Sequence, residues 1–165
     1  MTTGLFIGRF QPFHLGHLSD VKNALKEADE LIIVIGSSQA SNTFENPFTF
    51  EERKGMIERV LKEEKISDYT VVPVPDAGND QKWLAAVKKA VPSFDVCYTG
   101  NDWVERIFKE NNLKVKKVRM IPDIDSTTIR EKMATNEDWQ QMVPESVVQF
   151  LEKINGIERI KKLKK

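Results

Sequence analysis

The chain has 165 residues, 25 Lys and Arg against 25 Asp and Glu, 40% hydrophobic content, eight Gly, seven Pro and one Cys. That profile excludes disordered, collagen-like and disulfide-scaffold chains, and its length suffices for one domain, 1–165, with its own core. Zero formal net charge removes the global electrostatic footprint of a nucleic-acid binder, and no segment reaches the roughly 18 apolar residues of a membrane span.

Residues 3–8 (TGLFIG) form a short apolar run ending in Gly, read as a buried strand. Leu15, Leu18, Val21, Ala24, Leu25 and Ala28 recur at spacings of three and four, the apolar face of a helix. The run LIIVIG (31–36) is a second buried strand, so the three elements predict a βαβ unit with parallel strands. Thr49 with Glu52 forms a capping box that opens a helix running to about Glu64. Strand, helix, strand, helix and strand follow at 69–74, 80–91, 94–100, 102–111 and 115–121. From Ser126 onward the chain reads as helices, with Pro144 suited to a first helical turn. The alternation predicts an α/β fold: a mostly parallel sheet, helices on both faces, and a C-terminal helical segment. Ligands then bind beyond the carboxyl ends of the strands, after Ile7, Ile35, Val74, Tyr98 and Ile121. The sole cysteine, Cys97, falls in a strand and allows no internal disulfide, which fits a reducing, cytoplasmic setting. The N-terminal MTTGLFIGRF lacks the charged-then-apolar layout of an export signal.

The segment GRFQPFHLGH (8–17) holds both histidines of the chain, three residues apart, where the first strand turns into the first helix. Unpaired N–H groups and the dipole at a helix start attract phosphate, and His14 and His17 sit beside them. Gly8 permits a turn, Gly16 permits close approach, and Arg9 adds a planar charged fork suited to phosphate oxygens. The bland alternative is that the histidines cap the helix. Ser126 and Thr127 offer hydroxyls at another helix start, with Arg130 on the same turn; read alone, that segment is a helix cap with a surface Arg. Trp83 follows the loop Asp76–Asp80 beyond the third strand, where it either stacks on a ligand ring or packs in the core.

These residues resemble the signature of the HxGH nucleotidylyltransferases, and the form GRFQPFHxGH resembles archaeal-type nicotinamide-nucleotide adenylyltransferases. The likeness extends to GSSQ (36–39), NPFTFEER (46–53), YTGND (98–102), IDSTTIR (124–130) and PESVVQFLEKINGIERI. It implies a Rossmann-like fold and transfer of the adenylyl group of ATP to nicotinamide mononucleotide, with direct in-line attack on the α-phosphorus. His14, His17, Arg9 and Arg130 would carry the chemistry. ATP would meet Gly8, Arg9, Phe10, His14, Gly16, His17, Gly100, Asn101, Ser126, Thr127 and Arg130, and the acceptor Trp83, Asp80, Asn79, Gly36 and Ser37. Mg²⁺ would bridge ATP oxygens without a dedicated protein cage, and the resemblance implies a homo-oligomer, often a hexamer. Asp125 stands where the family usually has Ser, and either caps the helix or repels phosphate. Asp76 and Asp80 flank one loop with no Lys or Arg between Asp76 and Gln81, so a nicotinate carboxylate is expected to be disfavoured against the nicotinamide amide.

Two other readings compete. HxGH reads the nucleoside triphosphate and not the acceptor, so an adenylyl- or cytidylyltransferase for FMN or phosphopantetheine fits the same motif. A nucleotide sensor without turnover is the non-enzymatic alternative. The chain lacks GxGxxG, GxxxxGK[ST], HExxH and paired CxxC motifs, which removes dehydrogenase, P-loop and zinc-site readings.

Overall fold

The apolar runs of the sequence become the strands of one parallel sheet in the computed structural model, which describes residues 1–119 and 121–165. The strands are β1 (Thr3–Gly8), β2 (Glu30–Ile35), β3 (Tyr69–Pro73), β4 (Val96–Thr99) and β5 (Val115–Lys117), in the order β3-β2-β1-β4-β5. In register, Thr3 pairs with Glu30, Gly4 with Val96, Leu31 with Tyr69 and Cys97 with Val115, every pair parallel. The helices are α1 (Leu15–Glu27), α2 (Phe50–Glu63), α3 (Asp80–Ala90), α4 (Asp102–Glu110), α5 (Ser126–Ala134), α6 (Glu145–Lys153) and α7 (Gly156–Lys164). β5 stops at Lys117, short of the expected 115–121, of which Met120 lies outside the described residues. The adjacent Lys116 and Lys117 and a partner on one side only mark β5 as an edge strand, and the ladder ends early there. Pro144 precedes α6 in extended backbone and does not occupy its first turn.

The chain forms two compact units, each assembled from three separated stretches. The first comprises Met1–Arg9, Ser19–Ser38 and Asp68–Met120 and contains the whole sheet. Leu5, Ile7, Val34 and Cys97 of the sheet pack with Trp83, Leu84 and Val87 of α3 and Val104, Ile107 and Phe108 of α4 in one apolar cluster. The opposite face of β1 meets the end of α1: a Cβ on Gly4 would lie 2.9 Å from the Tyr98 ring and 3.3 Å from the Ala28 methyl. Helices therefore cover both faces, as the parallel pattern requires.

The second unit comprises Phe10–Leu18, Gln39–Ser67 and Ile121–Lys165. Here α2 packs on α6, α6 on α7 and α5 on α7. The predicted capping box is present, with Glu52 N–H donating to Thr49 Oγ1 at 3.1 Å and Thr49 N–H to Glu52 Oε1 at 3.0 Å. Arg159 of α7 clasps the same Glu52 carboxylate with two bonds, 2.6 and 2.8 Å. Asn155, in left-handed backbone at φ 56°, breaks the C-terminal helical run into α6 and α7.

Candidate functional site

The motif segment is over-determined by its own side chains. Phe10 holds φ 55°, a region costing a bulky residue about 1–3 kcal/mol. Its buried ring compensates by packing on Phe13 and edge-on against His17, 5.8 and 4.7 Å between centroids. Gln11, buried, uses its amide as a strand would use its backbone: Nε2 donates to the Phe48 carbonyl at 3.1 Å and Oε1 accepts Phe48 N–H at 2.9 Å. Two successive carbonyls of this segment then bind α5. The Gln11 carbonyl accepts Arg130 Nη1 at 2.9 Å and the Pro12 carbonyl accepts Ser126 Oγ at 3.0 Å.

The two imidazoles stack, with centroids 3.6 Å apart and planes at 20°. His14 Nδ1 accepts the N–H groups of Gly16 and His17, at 3.1 and 3.3 Å, and His17 Nδ1 accepts His14 N–H at 3.1 Å. His14 thus caps α1, the bland role weighed in the sequence, and the Gly16 and His17 N–H groups expected to meet phosphate are already satisfied. The same bonds fix chemistry. With each Nδ1 an acceptor, the neutral proton resides on Nε2, making each ring a directed N–H donor. Burial lowers the His14 pKa to about 4 against a smaller opposing effect of Asp125, and burial followed by the His14 neighbour lowers His17 well below its usual value. Both rings are neutral near pH 7. Gly16 is required by this arrangement, because a Cβ there would meet His14 Cε1 at 2.9 Å.

At α5, Asp125 is a cap: Oδ1 accepts Thr128 N–H at 2.7 Å and Oδ2 accepts the Thr128 hydroxyl at 2.9 Å. Arg130 is buried, reaches the Thr127 hydroxyl at 3.4 Å and lies 5.8 Å from the Phe44 ring centroid. Thr127 itself is exposed.

In the first unit, a cavity of about 250 Å³ opens beyond the carboxyl ends of the strands. Gly8 at the end of β1 and Arg9 after it enter its wall, Gly36 and Ser37 follow β2, Asp76 follows β3, Asn101 follows β4, and Trp83 and Trp103 come from α3 and α4. Ser37 donates its hydroxyl to Asp76 at 2.7 Å. Asn101 lines the wall while capping α4, accepting the N–H groups of Trp103 and Val104 at 2.8 and 3.2 Å. Gly100 lies between β4 and α4, outside the cavity lining. Trp83 is a member of the apolar cluster, the core reading of the sequence, and also lines the cavity.

Two expected acceptor residues are engaged elsewhere. Asn79 caps α3, taking Lys82 N–H at 2.9 Å. Asp80 accepts from Trp103 Nε1 at 3.0 Å and from Arg106 Nη2 at 3.1 Å. Arg106 pairs at the surface with one of the two carboxylates on which the expected bias against a nicotinate ring rested, and Arg9 stands on the cavity wall opposite in sign to Asp76. Trp103 is the residue that sequence reasoning passed over; its signal was a second tryptophan directly after the YTGND turn.

A cytidylyltransferase-like family model matches residues 5–155. The nicotinamide-nucleotide adenylyltransferase of Thermoplasma volcanium is 47% identical over 159 residues, covering 95% of this chain and 89% of its own length. The chain belongs to the nicotinamide-nucleotide adenylyltransferase family. Another adenylyltransferase of that description, from Archaeoglobus fulgidus, is 45% identical with 94% of each chain covered. A solved bifunctional NMN adenylyltransferase/ADP ribose pyrophosphatase from Francisella tularensis, in complex with AMP and a manganese ion, superposes with a TM-score of 0.80 at 28% identity over 98% of this chain. The chain spans about half, 51%, of that protein. In this adenylyltransferase chain, no group of three or more His, Cys, Asp or Glu among the described residues converges to hold a metal ion. No helix among them is long and apolar enough to cross a membrane.

Proposed function

We propose that residues 1–165 act as one nucleotidylyltransferase domain that transfers the adenylyl group of ATP to nicotinamide mononucleotide, giving NAD and pyrophosphate. The observation carrying this reading is the stacked histidine pair, whose Nδ1 atoms are held by backbone N–H groups so that two Nε2–H donors are presented together. An oxygen of the acceptor 5′-phosphate attacks the α-phosphorus, a new P–O bond forms, and the bond to the bridging oxygen of the β-phosphate breaks as pyrophosphate leaves. The attacking phosphate is already a nucleophile, so the protein's work is positioning and charge stabilisation. His14 and His17 donate to phosphate oxygens as neutral N–H dipoles and so offset the charge that develops toward the pyrophosphate. Arg9 and Arg130 supply permanent positive charge for the β- and γ-phosphates. Ser126, expected at phosphate, serves at least to tie α5 to the Pro12 carbonyl. The divalent ion, Mg²⁺ in this reading, would bind mainly through the phosphate oxygens of ATP and supply charge neutralisation there.

The acceptor ring occupies the cavity walled by Gly36, Ser37, Trp83 and Trp103. We further propose a cytoplasmic homo-oligomer, to be sized by light scattering. The test of function is incubation with ATP, Mg²⁺ and nicotinamide mononucleotide, reading NAD by mass together with stoichiometric pyrophosphate. Product from FMN or phosphopantetheine instead would favour another acceptor, and ATP binding without pyrophosphate would favour a sensor.

A further inference from the structure

Trp103 is the large apolar side chain in the cavity wall that stays open to solvent, 40% exposed, while Trp83 beside it is 5% exposed. Their ring centroids lie 4.6 Å apart with the planes tilted at 51°, which forms an aromatic corner and not a parallel stack. The exposed indole is nonetheless held in place. Its Nε1–H donates to Asp80 Oδ1 at 3.0 Å, Asp80 Oδ2 accepts from Arg106 Nη2 at 3.1 Å, and Arg106 Nη1 rests on Glu110 at 3.1 Å. Trp103, Arg106 and Glu110 follow the i, i+3, i+7 spacing of one helical face on α4, and Asp80 meets them from the first residue of α3. Exposed ion pairs of this kind add little to stability. What the brace does fix is the direction of an indole.

We propose that Trp103, braced by Asp80 and Arg106, forms with Trp83 an aromatic corner that recognises the cationic pyridinium ring of the acceptor. This inference rests on the function proposed above and names its specificity residues. An N-ribosylated pyridine carries a positive charge, and the face of an indole is the best aromatic partner for a cation. A carboxylate accepting from the indole N–H makes that face more negative even while its other oxygen pairs with Arg106, and Asp76 sets an acidic group against Arg9 in the same cavity. Asp80 therefore acts through Trp103 as a positioning residue and does not touch the acceptor, which accounts for an acidic residue at this place in the sequence.

The test compares steady-state constants for nicotinamide mononucleotide and ATP in six proteins: the wild type, Trp103→Ala, Trp103→Phe, Asp80→Ala, Asp80→Asn, and Asp80→Ala combined with Trp103→Phe. Trp103→Ala is expected to raise the acceptor KM roughly tenfold, the size of one aromatic contact, with the ATP KM unchanged. Asp80→Ala should raise it about threefold in the wild-type background and leave it unchanged in the Trp103→Phe background, where no N–H remains to be held. Asp80→Asn, which keeps an acceptor for the indole, should recover part of the loss. The reduced mononucleotide, whose ring is uncharged, should lose efficiency relative to the oxidised one with the wild type and less so with Trp103→Ala. An unchanged acceptor KM in Trp103→Ala, or an equal effect of Asp80→Ala in both backgrounds, overturns this inference alone; a wild type that makes no NAD overturns the function on which it rests.

Discussion

In the second unit, His14 and His17 are fixed by backbone groups of a single four-residue segment, whereas the cavity of the first unit draws its wall from the ends of β1, β2, β3 and β4 and the first turns of α3 and α4. A site built within one segment keeps its geometry as long as that segment folds. A site assembled from several strand ends depends on the register of the whole sheet. The first arrangement suits groups that must be placed to within a fraction of an ångström for phosphate chemistry, and the second suits recognition of a ring that tolerates small displacements.

The largest expected effect tests the self-contained segment. His17→Ala removes one preorganised donor and should lower kcat by about 10²–10³, with circular dichroism and the acceptor KM close to those of the wild type. Near wild-type kcat would reduce the pair to a helix cap. Arg130→Ala comes next: it should raise the ATP KM by roughly tenfold or more, since a charged, directional phosphate contact is lost, and Arg130→Lys should recover only part. Normal ATP kinetics in both would leave Arg130 as the clasp on the Gln11 carbonyl alone.

The third outcome sets buried groups of the two units against each other. Burial alone raises Asp20 on α1 to about 7, while burial lowers His14 to about 4. Asp20 binds more protons folded than unfolded between about pH 4 and 7, so its contribution is full at low pH and lost as pH rises through that window. His14 does the opposite: its contribution is full above about pH 6.5 and lost as pH falls toward 4. Asp20→Asn should gain about 2 kcal/mol at pH 8 relative to its difference from wild type at pH 4, measured by urea unfolding. His14→Asn, which keeps a capping acceptor, should flatten the acid limb. Parallel pH profiles for wild type and Asp20→Asn would show that Asp20 is ordinarily solvated. The smallest effect is that of Ser126→Ala, which cuts the tie to the Pro12 carbonyl and should cost about 0.5–1.5 kcal/mol of stability, with the change in kcat confined to the loss of positioning.

The same contrast governs what could be read from the sequence. Strands, helices and the Thr49 capping box were legible because their signals are periodic or local, and the histidine segment because its residues are neighbours in the chain. The partners of Ser126 and Arg130 were not legible: they lie 114 and 119 residues away, and both are backbone carbonyls, which carry no sequence signature. Trp103 was passed over because a tryptophan just inside a helix start reads as an ordinary surface residue until Trp83 and Asp80 are brought beside it. Asn79 and Asp80 were expected at the acceptor, whereas the structure shows them capping α3 and bonded to Trp103; spacing cannot tell a side chain that meets a ligand from one that steadies its neighbour.

The interleaving of the two units sets a constraint on synthesis. β1, at the centre of the sheet, is made well before its neighbour β4, so that Gly4 waits for Val96. The second unit likewise begins at Phe10 and finishes at Lys165. No single cut in the polypeptide releases either unit intact, so a growing chain holds apolar strand edges open until most of it has been made. Such late, long-range pairing slows folding and exposes aggregation-prone surface on the way. Domain dissection and split-reporter strategies on this chain must therefore follow the three-dimensional units and not the order of residues.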